Sequence, residues 1–155
     1  MPPECHVRPA RMEEVDQLCA FQVAMAWESE GMRLDPDTVR RGIQTFLQMP
    51  DHGVYYVITA EDKAVGCAMV QYEWSDWRAK RVLWLHSVYV VPQFRRNGCF
   101  RTFYAFLQNK VQSTPDLAGI RLYVDRKNTQ AEATYRRLGM TDEHYKLFES
   151  MKSEG

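Results

Sequence analysis

The stretch from Val82 to Val124 constrains the fold more than any other part of the chain. Val82–Val91 is apolar on both faces and stops at Pro92. A run that is apolar on both sides suits a strand covered on both sides. A short basic loop follows, and then Phe100, Phe103, Tyr104, Leu107 and Val111 recur at helical spacing until Thr114-Pro115 closes the helix. Ile120–Val124 is a further short apolar strand. Strand, helix and strand in this order predict a right-handed crossover between parallel neighbours.

The flanking segments extend that unit. His6-Val7-Arg8 reads as a short strand ended by Pro9, and Val15, Leu18, Cys19 and Met25 mark a helix over Met12–Trp27. Asp35-Pro36 opens a second helix with the stripe Val39, Ile43, Phe46 and Leu47. Met49–Gly53 is a turn cluster. Val54–Ala60 and Val65–Trp74 read as strands around Glu61-Asp62-Lys63, and Ser75–Lys80 as a polar loop. Thr129–Leu138 is a helix between the N-cap Asn128 and the stop Gly139, and Tyr145–Phe148 a final strand. The order β-α-α-β-β-β-α-β-α-β predicts an α/β (α+β) fold. Its sheet is mixed, mostly antiparallel and twisted, flanked by about four helices, with residues 1–155 as a single domain.

With 45% hydrophobic and 26% charged residues the chain can bury a core, which excludes disorder, collagen-like repeats and a disulfide-stapled mini-protein. No apolar run approaches the roughly 20 residues that cross a bilayer. The opening Met1-Pro2-Pro3-Glu4-Cys5-His6 lacks the basic and apolar regions of a signal peptide, so a cytoplasmic location without membrane association is expected. Cys5, Cys19, Cys67 and Cys99 form no CxxC pair and have no His at ligand spacing, so free thiols and no metal are expected. The zero net charge hides an asymmetry: 6 basic against 13 acidic residues over 1–77, and 14 against 7 over 78–155. The basic residues are not in a dense run, and nucleic acid is not an expected partner.

Two segments carry chemistry. In Arg95-Arg96-Asn97-Gly98-Cys99-Phe100-Arg101 a basic loop with a glycine leads straight into a helix. A helix start offers unpaired N–H groups and positive dipole, Gly98 lets backbone approach an anion, and the arginines add charge-assisted contacts. It is not a GxxxxGK[ST] loop; the plainer reading is a strand-to-helix turn with solvated arginines. In Asn128–Met140, Asn128 caps a helix, Ala131 permits close approach, and Tyr135 lies one turn further on the same face.

Taken together, Arg95-Arg96-Asn97-Gly98-Cys99 resembles the Gln/Arg-x-x-Gly-x-Gly/Ala phosphate motif of the GNAT superfamily of acetyl-coenzyme A-dependent N-acetyltransferases, with Phe100 where Gly or Ala is usual. Asn128, Ala131, Tyr135 and Gly139 resemble its Asn-x-x-Ala-x-x-x-Tyr-x-x-x-Gly-Phe motif, with Met140 for Phe. The order of elements is also similar to that family's. The resemblance implies acetyl-CoA as cosubstrate, with the pantetheine arm pairing along Val88, Tyr89 and Val90. It implies a pyrophosphate cradled by Arg95, Arg96, Asn97, Gly98, Cys99, Phe100 and Arg101. Asn128 would touch the pantetheine and Tyr135 would protonate the departing thiolate. The expected acceptor is a primary amine of a small molecule, with polyamine, amino acid, aminosugar and protein N-terminus all open, and a homodimer is a family-level expectation.

The general base is open between two residues. His86 lies in the doubly apolar strand, on the face of Val82, Trp84, Val88 and Val90; neutral histidine accepts protons readily. Glu73 ends the preceding strand, and a simple hairpin would set it opposite Leu83. Glu28, Glu30, Glu73 and Trp74 are candidates for an acidic, aromatic-walled acceptor pocket suited to an amine cation. Acetylation of a protein or peptide amine, a non-catalytic coenzyme-binding module and an RNA or anion binder using the basic half are the competing classes.

Overall fold

The computed structural model describes residues 3–153. By its internal contacts the chain forms two compact units, one up to Leu122 and one from Tyr123 onward.

The first unit is a five-stranded sheet in the order β1 (Cys5–Pro9), β2 (Gly53–Ala60), β3 (Lys63–Ser75), β4 (Lys80–Val90), β5 (Leu117–Leu122). The first three pairings are antiparallel and β4–β5 is parallel. Helix α3 (Cys99–Ser113) supplies the crossover that the stretch from Val82 required. Helices α1 (Val15–Glu30) and α2 (Pro36–Leu47) lie between β1 and β2 in sequence. Asp35 caps α2 by accepting from the Thr38 amide at 3.2 Å and its hydroxyl at 2.6 Å.

Alternation along the strands sorts the core into two layers. On one side Tyr56, Ile58, Val70, Leu83 and Leu85 meet Phe103 and Leu107 of α3. On the other Tyr55, Val57, Cys67 and Tyr89 meet Leu18, Phe21 and Ile43 of α1 and α2.

Four expectations are corrected. The β3–β4 hairpin pairs Ser75 with Lys80 and Glu73 with Val82, not Leu83. Because side chains alternate, that one-residue slip moves Glu73 onto the face of Trp84 and His86. Second, the register shifts between Cys67 and Met69, so strict alternation beyond His86 fails. Tyr89 joins the α1 side while Val88 and Val90 pack toward α3. Third, Cys5 and Cys99 are not free thiols: they form a disulfide with Cα atoms 5.5 Å apart, while Cys19 and Cys67 are free and buried. Spacing in sequence carried no sign of this pairing, because 94 residues separate the two. Fourth, Tyr145–Phe148 is not a strand; Tyr145 is 74% and Phe148 90% exposed. Strand propensity expresses fit to a half-buried pleated surface, and these side chains stand exposed instead.

The second unit contains α4 (Thr129–Arg137). The Asn128 side chain accepts from the Ala131 amide at 3.1 Å. Beyond Leu138, left-handed Gly139 ends the helix: its N–H donates to the Arg136 carbonyl, and the Met140 N–H to that of Tyr135. No helix among the described residues is long and apolar enough to cross a membrane.

Candidate active site

The site begins where β4 and β5 part. Their ladder runs from Arg81↔Leu117 to Leu85↔Leu122, while β4 continues to Val90 with only β3 paired beside it, through Tyr89↔Cys67 and Val90↔Gly66. Ser87 sits at φ 57°, a left-handed conformation costly for a residue with a Cβ, where β4 bulges. Buried Gln22 of α1 holds the bulge: its Nε2–H₂ donates to the Ser87 carbonyl at 3.0 Å and to Cys67 Sγ at 3.2 Å. Past Leu85, β4 has no further ladder partner on its β5 side among the described residues of the sheet, the pattern that accepts an added extended chain. Sequence reasoning missed Gln22 and Ser87. A glutamine on the face shared with Leu18, Phe21 and Ala26 was the available signal, since a buried amide must find partners.

The loop after β4 leads to the start of α3. Arg96 (φ 65°) and Gly98 (φ 79°) are both left-handed, which turns the chain sharply before Cys99. A Cβ at Gly98 would meet nothing within 4 Å, so the approach to the helix start is open. No acidic side chain occupies the first turn of α3, where unpaired N–H groups and the dipole favour an anion. Arg96 and Arg101 are exposed and Asn97 is partly buried. Cys99 is fixed by its disulfide. Phe100 stacks on Tyr104 with ring centroids 6.3 Å apart and packs toward the α3-side core.

Arg95 is already engaged. Its Nε–H donates to the Val90 carbonyl at 2.8 Å, its Nη2 pairs with Glu28 of α1, and its guanidinium lies over the Tyr89 ring. The Tyr89 hydroxyl also donates to Glu28 at 3.2 Å, which joins the end of α1 to the loop. Burial and the Glu28 carboxylate push the Tyr89 phenol up.

Glu73, Trp84, His86 and Arg121 share the α1-side face of the sheet. Glu73 Oε2 accepts from the Trp84 indole N–H at 2.8 Å and Oε1 from Arg121 Nη1 at 2.8 Å. Trp84 and His86, two apart on β4, are stacked at 6.2 Å with planes 13° apart. Burial pushes the His86 imidazole below its ordinary value, toward the neutral base. Trp74 follows Glu73 on the strand and so points to the opposite face, 63% exposed. Glu30, the last residue of α1, is exposed. The candidates for an acceptor pocket are thus divided: Glu28 with Arg95 and Tyr89, Glu73 with Arg121 and Trp84, and Trp74 across the sheet.

In the second unit, α4 carries Asn128, Ala131 and Tyr135, and burial raises the Tyr135 phenol above its usual pKa, so it is protonated near neutral pH. No group of three or more His, Cys, Asp or Glu among the described residues is placed to hold a metal.

The comparisons bear on this arrangement. No curated protein sequence matches the chain. The crystal structure of a possible acetyltransferase from Clostridium difficile 630 has 37% sequence identity and a TM-score of 0.90, over 97% of this chain and 99% of that one. Two others share the fold at lower identity. A predicted acetyltransferase with acetyl-CoA from Clostridium acetobutylicum has 16% identity and a TM-score of 0.71, covering 94% and 96% of the two chains. An aminoglycoside N-acetyltransferase in complex with CoA has 15% identity and a TM-score of 0.74, covering 99% and 98%. The family model of the GNAT acetyltransferases matches residues 13–140, from the turn before α1 to the residue after Gly139. With that match and the close structural relative, the mixed sheet with its parted strands identifies the chain as a member of the GNAT acetyltransferase family.

Proposed function

We propose that the protein moves an acetyl group from acetyl-CoA to the primary amine of a small molecule, by direct attack with both substrates bound. The observation that carries the reading is the unpaired β4 edge after the Ser87 bulge, followed within ten residues by the open start of α3. The edge suits the two amides of a pantetheine arm, and the helix start suits its pyrophosphate. Relatives of the same fold that hold acetyl-CoA and CoA support the choice of cosubstrate.

The chemistry assigns roles to the chain's own groups. An alkylammonium with a pKa near 10.4 must lose a proton before its nitrogen can attack. His86, kept neutral by burial, takes that proton directly or through one water. Glu73 is the weaker base, because both of its oxygens already accept hydrogen bonds. A backbone N–H near Val88 stabilises the developing oxyanion. As the carbon–sulfur bond breaks, the Tyr135 phenol gives its proton to the thiolate; the second proton, lost by the attacking nitrogen as the amide forms, restores the phenol through water, and an amide and a free thiol leave.

Thiol release from acetyl-CoA across a panel of amines, amino acids, aminosugars and peptides tests the proposal. Release with a small amine supports it. Coenzyme binding with no acceptor consumed supports a non-catalytic module instead, and release only with peptides moves the acceptor class.

A further inference from the structure

The Glu73 carboxylate lies between two donors from different strands, and one of them leads to the candidate base. Arg121 on β5 pairs with Oε1, and Trp84 on β4 donates its indole N–H to Oε2. The register makes the grouping a property of the sheet: Trp84 is the Cα partner of Arg121 on one side and of Gln71 on the other. Glu73 lies two residues beyond Gln71, on the same face. An indole held at its nitrogen cannot rotate about χ2 without losing that bond, and the His86 ring lies within 13° of its plane with centroids 6.2 Å apart.

The Glu73–Arg121 pair is 42% and 30% exposed at its side chains. Pairs this exposed contribute little to stability, so its effect lies in geometry. Arg121 also sits on the parallel β4–β5 pairing, just before the two strands part.

We propose that Glu73 and Arg121 are positioning residues: they fix the plane of Trp84, and through it the direction in which the His86 nitrogens point. The proposal rests on the transferase reading for its catalytic consequence, and on side-chain geometry alone for its structural one. Arg121 anchors the carboxylate, the carboxylate holds the indole, and the indole sets the imidazole. Glu73 thus acts without touching a substrate.

The test combines NMR with kinetics. In the wild-type protein the Trp84 indole N–H, identified among the 4 tryptophans by Trp84→Phe, resonates downfield as a donor to a carboxylate. The His86 ring protons are displaced by the stacked indole. Glu73→Leu removes both acceptors. It is expected to shift the Trp84 indole signal upfield, move the His86 ring signals, and lower kcat about ten-fold with the acetyl-CoA KM unchanged. That loss is smaller than the roughly 10²-fold a displaced reacting group can cost. Glu73→Gln keeps one oxygen acceptor and falls between. Trp84→Phe keeps a ring but no donor, and reproduces the kcat loss even where Glu73→Leu does not fold. His86 ring signals that stay in place in Glu73→Leu, or an unchanged kcat in Trp84→Phe, overturn the proposal. The NMR arm needs no acceptor. If the wild-type protein consumes no amine, the transferase reading fails while His86 signals that follow Glu73 still support the positioning link.

Discussion

At the scale of single residues, protonation states decide the chemistry. Burial lowers the His86 pKa from 6.5, so its neutral form persists to lower pH than in a free imidazole. If His86 is the base, kcat/KM holds as pH falls to about 6.5 and drops only below it, as the ring protonates. His86→Gln removes that acidic limb. A pH–rate profile whose acidic limb stays in place in His86→Gln assigns the limb to another group. Tyr135 is the converse case: burial raises its phenol, so it keeps its proton through neutral pH. Tyr135→Phe should lower kcat by about 10²-fold, within the range of a lost general acid, while the acetyl-CoA Kd changes little. Stopped-flow turnover and calorimetry on the same preparation separate these two effects.

At the scale of elements, β3 and β4 are where the sequence was most and least readable. The doubly apolar run Val82–Val91, the Pro92 stop and the stripe of α3 were legible because each follows from local periodicity or sterics. The Asn128 cap and the start of α2 at Asp35-Pro36 were legible for the same reason. The Ser87 bulge was not, because it depends on Gln22, 65 positions away in sequence. Nor was the face of Glu73, since one residue in the length of the hairpin turn reverses it. The candidate site was therefore legible as loop, helix and named side chains, while its pairing pattern was not. Gly66 marks how close these strands run: a Cβ there would fall inside the contact distance of the Tyr89 carbonyl oxygen. Gly66→Ala should push β4 outward at Tyr89–Val90 and cost about 1–3 kcal/mol, as overpacking does. It should weaken acetyl-CoA binding more than Gly42→Ala, a site with open space around it. Chemical denaturation and coenzyme titration of the two variants provide the comparison.

For the whole molecule, the Cys5–Cys99 disulfide ties edge strand β1 to the first residue of α3, across 94 positions. A cross-link closing so long a loop stabilises by roughly 4–5 kcal/mol in the loop-entropy picture. Reduction should accordingly lower Tm by about 10 °C. Alkylation of the denatured, unreduced protein should label Cys19 and Cys67 alone, and after reduction all 4 cysteines. Four labelled cysteines without reductant would contradict the bond. The charge asymmetry also acts at this scale: acidic residues dominate through position 77 and basic ones after it, and the helix start proposed for a polyanion lies in the basic half.

The proposed transfer requires that helix start and the neighbouring edge of β4 to hold one extended, phosphate-bearing ligand. Titrating acetyl-CoA into isotope-labelled protein while following backbone amides tests it most directly. The amides of Val88, Val90, Gly98, Cys99 and Phe100 are expected to shift together, saturating at one equivalent. Saturable binding that leaves those five amides unmoved, or no binding at all, would contradict it.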